Sequence, residues 1–201
     1  MKENIKENIL MTSRDLFNEK GFNNVSMRDI AKVNNIRVGN LTYHYPHKLD
    51  ILCALLNNGQ PSIDIDSIND LHGLCEYLKQ MIEGVIENRF FFAYPEMQSI
   101  TEDAYKINKE TVEQFRTHLL HFLKQLKKNQ VLSSDLKEND MYIIVSFWML
   151  SHLSYGRENL ETSTYTNDSF NQFLLNHFTL LKPYFTTVGN KEYKQLKKEL
   201  V

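Results

Sequence analysis

The chain has 201 residues, a net charge of -2, 42% hydrophobic and 24% charged residues. That composition excludes a disordered chain, and the length holds a small module plus a larger domain, or one domain near the upper end of the usual size. Global charge does not announce a nucleic-acid partner, but residues 1–50 carry eight Lys/Arg against six Asp/Glu, so positive charge is concentrated at the front.

The N-terminus, MKENIKENIL, alternates charges with Ile and Leu. It does not read as a secretory leader, and a cytoplasmic location is expected. Ile5, Ile9, Ser13, Leu16 and Phe17 share one helical face before Gly21, which predicts a first helix over 2–20. Ser26 and Asp29 form an S-x-x-D start signal for a second, short helix that ends at Asn34-Asn35. A third helix is predicted from Arg37 or Val38 to His44, and Pro46 is expected to open a fourth that runs to Gly59. Gln60–Asp66 reads as a connector. Beyond it, the three-and-four spacing predicts helices over 67–88, 89–100, 101–129, 137–158 and 167–186, followed by a polar, lysine-rich tail after Gly189. No hairpin signal interrupts this pattern, so the fold class is all-α.

The longest apolar stretch, Met141–Leu150, includes Ser146 and is about half of what a membrane span needs, so no membrane partner is expected. Cys53 and Cys75 lack a CxxC or a histidine at ligand spacing and read as reduced thiols in a core. His44 and His47, and likewise His118 and His121, lack the further ligands a metal site needs; no metal and no cofactor are expected.

The second and third helices, joined by three or four residues, have the spacing of a helix-turn-helix. Two runs sharpen it: Phe17-N-E-K-Gly21-F-N-N-V-Ser26-M-R-D-Ile30-Ala31, then Asn35-I-R-V-Gly39-N-Leu41-T-Y-H-Tyr45-P-H-Lys48. Over residues 5–52 this resembles the N-terminal module of the TetR/AcrR family. The resemblance implies a three-helix DNA-binding domain over 1–48, with helix four (46–59) connecting it to an effector-binding and dimerisation domain over 60–201.

Carried over residue by residue, the resemblance implies that Ser26 and the amide of Met27 hold a phosphate, with Arg28 beside them. It implies that Arg37, Val38, Asn40, Tyr43 and His44 face base edges or nearby backbone, Arg37 suited to guanine, Asn40 to adenine and Val38 to a thymine methyl, while Lys48 clamps phosphate. The chain departs from the family pattern at Arg37, where a small capping residue is usual, and at Thr42, where a phosphate-binding tyrosine is usual. The resemblance further implies a small-molecule pocket, for which Phe91, Tyr94, Tyr105, His118, Phe122 and Trp148 are the candidates. The helices at 137–158 and 167–186 resemble the family's dimerisation pair, with Ile143, Ile144, Phe147, Leu150 and Leu153 on one and Phe170, Phe173, Leu174, His177, Phe178 and Leu181 on the other.

The expected function is a sequence-specific transcriptional regulator. A homodimer would bind a palindromic operator on double-stranded DNA and repress transcription until an effector of unknown identity releases it. Two other classes fit the sequence less well. A helical enzyme lacks any nucleophile-base pairing, phosphate loop or ligand cluster in the sequence, so no catalytic residue is expected. A protein-interaction module would account for the later helices but not for the order of residues 26–48.

Overall fold

The computed structural model describes residues 2–58, 63–92, 101–158 and 167–200. Among them lie ten α-helices and no β-strand: α1 (Lys2–Lys20), α2 (Met27–Val33), α3 (Val38–His44), α4 (Lys48–Asn58), α5 (Leu71–Glu87), α6 (Arg89–Phe92), α7 (Glu102–Lys128), α8 (Glu138–Glu158), α9 (Asn167–Thr179) and α10 (Thr187–Leu200). The chain divides into two compact units. The first comprises Met1–Gln60 and Gly84–Glu110, the second Pro61–Glu83 and Thr111–Val201.

In the first unit, the apolar face of α1 seats Ile9, Leu16 and Phe17 in one core with Ile30 and Ala31 of α2, Leu41 and Tyr45 at α3, and Ile51, Leu52, Leu55 and Leu56 of α4. Phe90 and Phe91 of α6 complete it. Phe17 sits at its centre, 5.0 Å from the ring of Phe22 and 5.2 Å from that of Phe90, separations typical of favourable tilted aromatic pairs. Asn18 fastens α1 to the α5–α6 junction with both halves of its amide: Nδ2 donates to the Glu87 carbonyl at 2.8 Å, and Oδ1 accepts from the Phe90 amide at 3.1 Å. An Arg14–Glu87 ion pair runs alongside.

The second unit buries Leu74, Tyr77 and Leu78 of α5, Leu119, Phe122 and Leu126 of α7, Val145 and Trp148 of α8, and Leu174 and Phe178 of α9. Here three expectations change. The fifth helix starts at Leu71 rather than near 67, because Asp70 caps it by accepting from the Gly73 amide at 2.8 Å, while Ile65–Ser67 form a separate 3₁₀ turn. The helix over 167–186 ends at Thr179, and Pro183 lies in a 3₁₀ turn over Lys182–Tyr184.

The lysine-rich tail is itself a helix, α10. Its start is pinned by Thr186, whose hydroxyl donates to the Gln130 carbonyl at 2.5 Å and accepts from the Gly189 amide at 3.2 Å. Gly189 then packs directly on the chain: a Cβ there would lie 2.3 Å from the Val131 carbonyl oxygen. At its other end α10 buries Leu196, and its Glu192 carboxylate accepts from the Leu71 amide at 3.0 Å. In the predicted helix over 89–100, residues 93–100 lie outside the described residues.

Candidate nucleic-acid interface

The front module is built from local capping chemistry. Ser26 and Asp29 form the expected reciprocal box: the Asp29 amide donates to the Ser26 hydroxyl at 3.2 Å, and the Asp29 carboxylate accepts from the Ser26 amide at 2.8 Å. The Ser26 hydroxyl also donates to that carboxylate at 2.5 Å. These bonds, the hydroxyl's foremost, hold the Asp29 carboxyl below its ordinary range, with Lys20 and Lys32 adding to the effect. Ser26, expected with the Met27 amide to hold a phosphate, thus has its own amide and hydroxyl both donating to Asp29.

The turn between α2 and α3 follows from Asn34 and Asn35. Asn35 adopts φ +53°, which lets the Ile36 amide reach the Ala31 carbonyl at 3.0 Å and the Asn35 amide reach that of Lys32 at 3.1 Å, the paired bonds of a Schellman motif. Asn34 adds a side-chain bond to the Ile30 carbonyl at 2.9 Å, and Thr12 of α1 donates to its Oδ1 at 3.3 Å. The turn is thereby tied to α1 as well as to α2.

Arg37 occupies the cap position of α3 and makes no side-chain capping bond. From there Arg37, Val38, Gly39 and Asn40 are all exposed, Thr42 and His44 are half-buried, and Tyr43 is 74% exposed. Leu41 and Tyr45 point the other way into the core. Tyr43 stands edge-on to His44 with ring centroids 5.2 Å apart, and the Thr42 hydroxyl donates to the Gly39 carbonyl at 3.3 Å. Arg28 is exposed on α2, whereas Met27 packs partly against the core.

Pro46 precedes α4 instead of opening it: the helix begins at Lys48, with the His47 amide donating to the Asp50 carboxylate at 2.7 Å. Lys48 itself turns inward. Its ammonium donates to the carbonyls of Phe22 at 2.7 Å and Val25 at 2.8 Å and lies 4.1 Å from the Phe22 ring centroid. Burial lowers its pKa. The residue expected to clamp phosphate thus straps α4 to the α1–α2 connector. Sequence position offers no sign of this, since the acceptors lie 26 and 23 residues away.

The pocket candidates fall in different places. Phe91 is fully buried and Tyr105 is 54% exposed, both in the first unit; Tyr94 lies outside the described residues. In the second unit, His118 and Phe122 gather on a residue the sequence reading passed over, Tyr77. The Tyr77 hydroxyl is 2.8 Å from His118 Nδ1, and its ring lies 4.7 Å from that of Phe122. Burial raises the Tyr77 pKa, whereas burial and then His121 lower that of His118. Trp148 is buried elsewhere, donating from Nε1 to the His177 carbonyl at 3.1 Å.

An exposed, short helix with a buried anchor every four residues, set behind a tied turn, is the arrangement of a recognition helix, and comparison with known proteins agrees. Residues 9–55 match the model described as bacterial regulatory proteins, tetR family, and residues 58–193 match the model described as a bacterial transcriptional repressor. The chain belongs to the TetR family.

Among curated relatives of this TetR-family chain, the regulator QacR of Staphylococcus aureus is 26% identical over 110 residues, 55% of this chain and 53% of QacR. The negative regulator IcaR of the Staphylococcus epidermidis biofilm operon is 28% identical over 127 residues, 57% of this chain and 65% of IcaR. The matches thus span about half to two thirds of those relatives. A TetR-family regulator from Marinobacter aquaeolei has the same fold, with a TM-score of 0.78 at 21% identity over 97% of this chain and 98% of that one. No helix among the described residues is long and apolar enough to cross a membrane.

Proposed function

We propose that the chain is a cytoplasmic, homodimeric repressor that binds a palindromic operator on double-stranded DNA and is released by a small-molecule effector. The observation that carries the reading is the exposed run Arg37–Asn40 with Tyr43 on a helix anchored from behind by Leu41 and Tyr45. Arg37 supplies a forked donor for guanine, Asn40 an amide for adenine and Val38 an apolar contact for a thymine methyl. Arg28 and the amide of Met27 meet phosphate, with Tyr43, His44 and the Thr42 hydroxyl contributing to the backbone grip. Ser26 acts chiefly through the cap that orients α2. Lys48 acts chiefly as the strap that holds α4 to the α1–α2 connector.

The dimer is supported by α8. Met141, Ile144, Val145 and Trp148 are buried on one side, yet Ile143 is 68%, Phe147 57% and Leu150 64% exposed on the other. Such a stripe, continued by a hollow of about 290 Å³ between Phe147, Leu150, Tyr155 and Phe173, needs a partner. A second copy meeting it by two-fold symmetry pairs two recognition helices. For the effector we assign the second unit, whose core gathers the rings of Tyr77 and Phe122 around the His118 imidazole. An effector lowers DNA affinity only as far as it prefers the non-binding state. The role assigned is binding rather than catalysis.

The experiment is a selection of duplexes from a random DNA pool at moderate salt. A two-fold symmetric sequence with half-sites about one helical turn apart is expected. Recovery of no enriched sequence would contradict the reading.

A further inference from the structure

Asn88 stands at the break between α5 and α6 and is 2% exposed. Its Nδ2 donates to the Gly84 carbonyl at 3.1 Å, which fixes how the amide is turned, because only its nitrogen can donate. Oδ1 is left buried and without a hydrogen-bond partner among the described residues. A buried acceptor that meets no donor is destabilising. The fold does not require it, since the Gly84 carbonyl also accepts from the Asn88 backbone amide at 3.2 Å. An apolar side chain of similar size at this position would leave no polar group unsatisfied.

Asn88 also lines a hollow of about 300 Å³ in the first unit, between α1, the end of α4 and the end of α5, a size within the range of small-molecule sites. The buried Leu10 and Leu55 give the hollow an apolar floor. On α1, Glu7, Met11 and Arg14 add a row at helical spacing. Arg14 pairs with Glu87, so the exposed Glu7 is the uncompensated charge of the lining. The hollow thus offers an acceptor without a donor and a carboxylate without a cation, with apolar surface between them. Anions are repelled by Glu7, and a wholly apolar guest leaves the Asn88 acceptor unmet. The fitting guest brings donors and positive charge. Two turns of α1, roughly 10 Å, separate Glu7 from Arg14 at the Glu87 end, which places the donors at the two ends of a short apolar chain.

We propose that this hollow is a binding site for a small aliphatic diamine, one ammonium donating to Asn88 Oδ1 and the other meeting the Glu7 carboxylate, while the methylene chain covers Leu10 and Leu55. The site lies wholly within the first unit, apart from the effector assignment in the second, and it does not depend on the operator-binding reading.

The test is calorimetric titration of the full chain with 1,4-diaminobutane and, as the uncharged counterpart, 1,4-butanediol, on wild type, Asn88→Leu, Glu7→Gln and Tyr77→Phe, with thermal unfolding of each protein. Wild type is expected to bind one diamine per chain and to bind the diol at least about tenfold more weakly. Asn88→Leu is expected to melt within about 2 °C of wild type yet to lose at least about tenfold in diamine affinity. Glu7→Gln, a change at an exposed position, is expected to lose about threefold, and Tyr77→Phe to bind as wild type does. Absence of saturable diamine binding would overturn the proposal, as would equal binding of the diol. Affinity unchanged in both Asn88→Leu and Glu7→Gln would also overturn it, and so would a loss confined to Tyr77→Phe, which places the diamine in the second unit.

Discussion

Lys48 illustrates what a single side chain does once the fold is known. A lysine at the start of α4 is expected to reach outward, but its ammonium caps the carbonyls of Phe22 and Val25 and rests on the Phe22 ring. Both carbonyls belong to the connector that leads into Ser26 and α2, so α4 and α2 are tied through one residue. Replacing Lys48 with Met removes two charge-assisted bonds while keeping the apolar stem. It is expected to lower unfolding stability by about 2 kcal/mol in urea titrations; an unchanged urea midpoint would show that the strap contributes nothing. The Ser26–Asp29 box was legible in the sequence because its partners lie three residues apart. The Lys48 strap was not, because its partners come from another element. Arg37 was readable on both counts, since the missing cap and the outward side chain are each expected from its position and each found.

At the level of elements, helix positions were readable wherever apolar spacing stood against clear punctuation, as in α1 and at the Asn34-Asn35 turn. The last third of the chain was harder. α10 reads as a polar tail because four of its residues are lysines, yet Leu196 and the tight seat of Gly189 on Val131 dock it.

The pairing of α8 with α9 was likewise anticipated only in outline, since apolar residues surround α8 and periodicity alone does not say which face turns inward. The inner face carries a pair of histidines. His152 and His177 are buried, with His177 Nε2 3.3 Å from His152 Nδ1 and 2.9 Å from the Ser151 hydroxyl. Burial, and for His152 its neighbour His177, hold both below their ordinary 6.5, His177 at about 4. Each ring thus binds a proton less readily when folded than when unfolded. Stability from the pair is complete above pH 6.5 and is lost as pH falls toward 4, because the unfolded chain takes up the protons. Urea midpoints should therefore drop between pH 7 and pH 5, a window above most carboxylate titration, and His177→Asn should flatten that slope. A midpoint equal at both pH values would contradict this.

The whole molecule combines two units whose sequence signals differ in kind. At the front, the bounds of α1, α2 and α3 were legible because local caps and a short turn set them, whereas the donation of the Ser26 hydroxyl to Asp29, the bonds of Lys48 and the start of α4 were not. The second unit shares an architecture with its relatives more than a sequence, and which of its apolar residues stay exposed depends on how its helices pack. Tyr77 became visible only when the neighbouring helices had taken their places, and so did the division of the expected α8 residues into buried Ile144 and exposed Ile143, Phe147 and Leu150.

The central claim is that this family member touches DNA through Arg28 and the helix from Arg37 to His44. Amide hydrogen exchange of the full chain, with and without the selected operator, tests it most directly. The account predicts new protection concentrated in residues 26–48 when operator is added. Protection confined to α7–α10, with residues 26–48 exchanging as in the free protein, would contradict it.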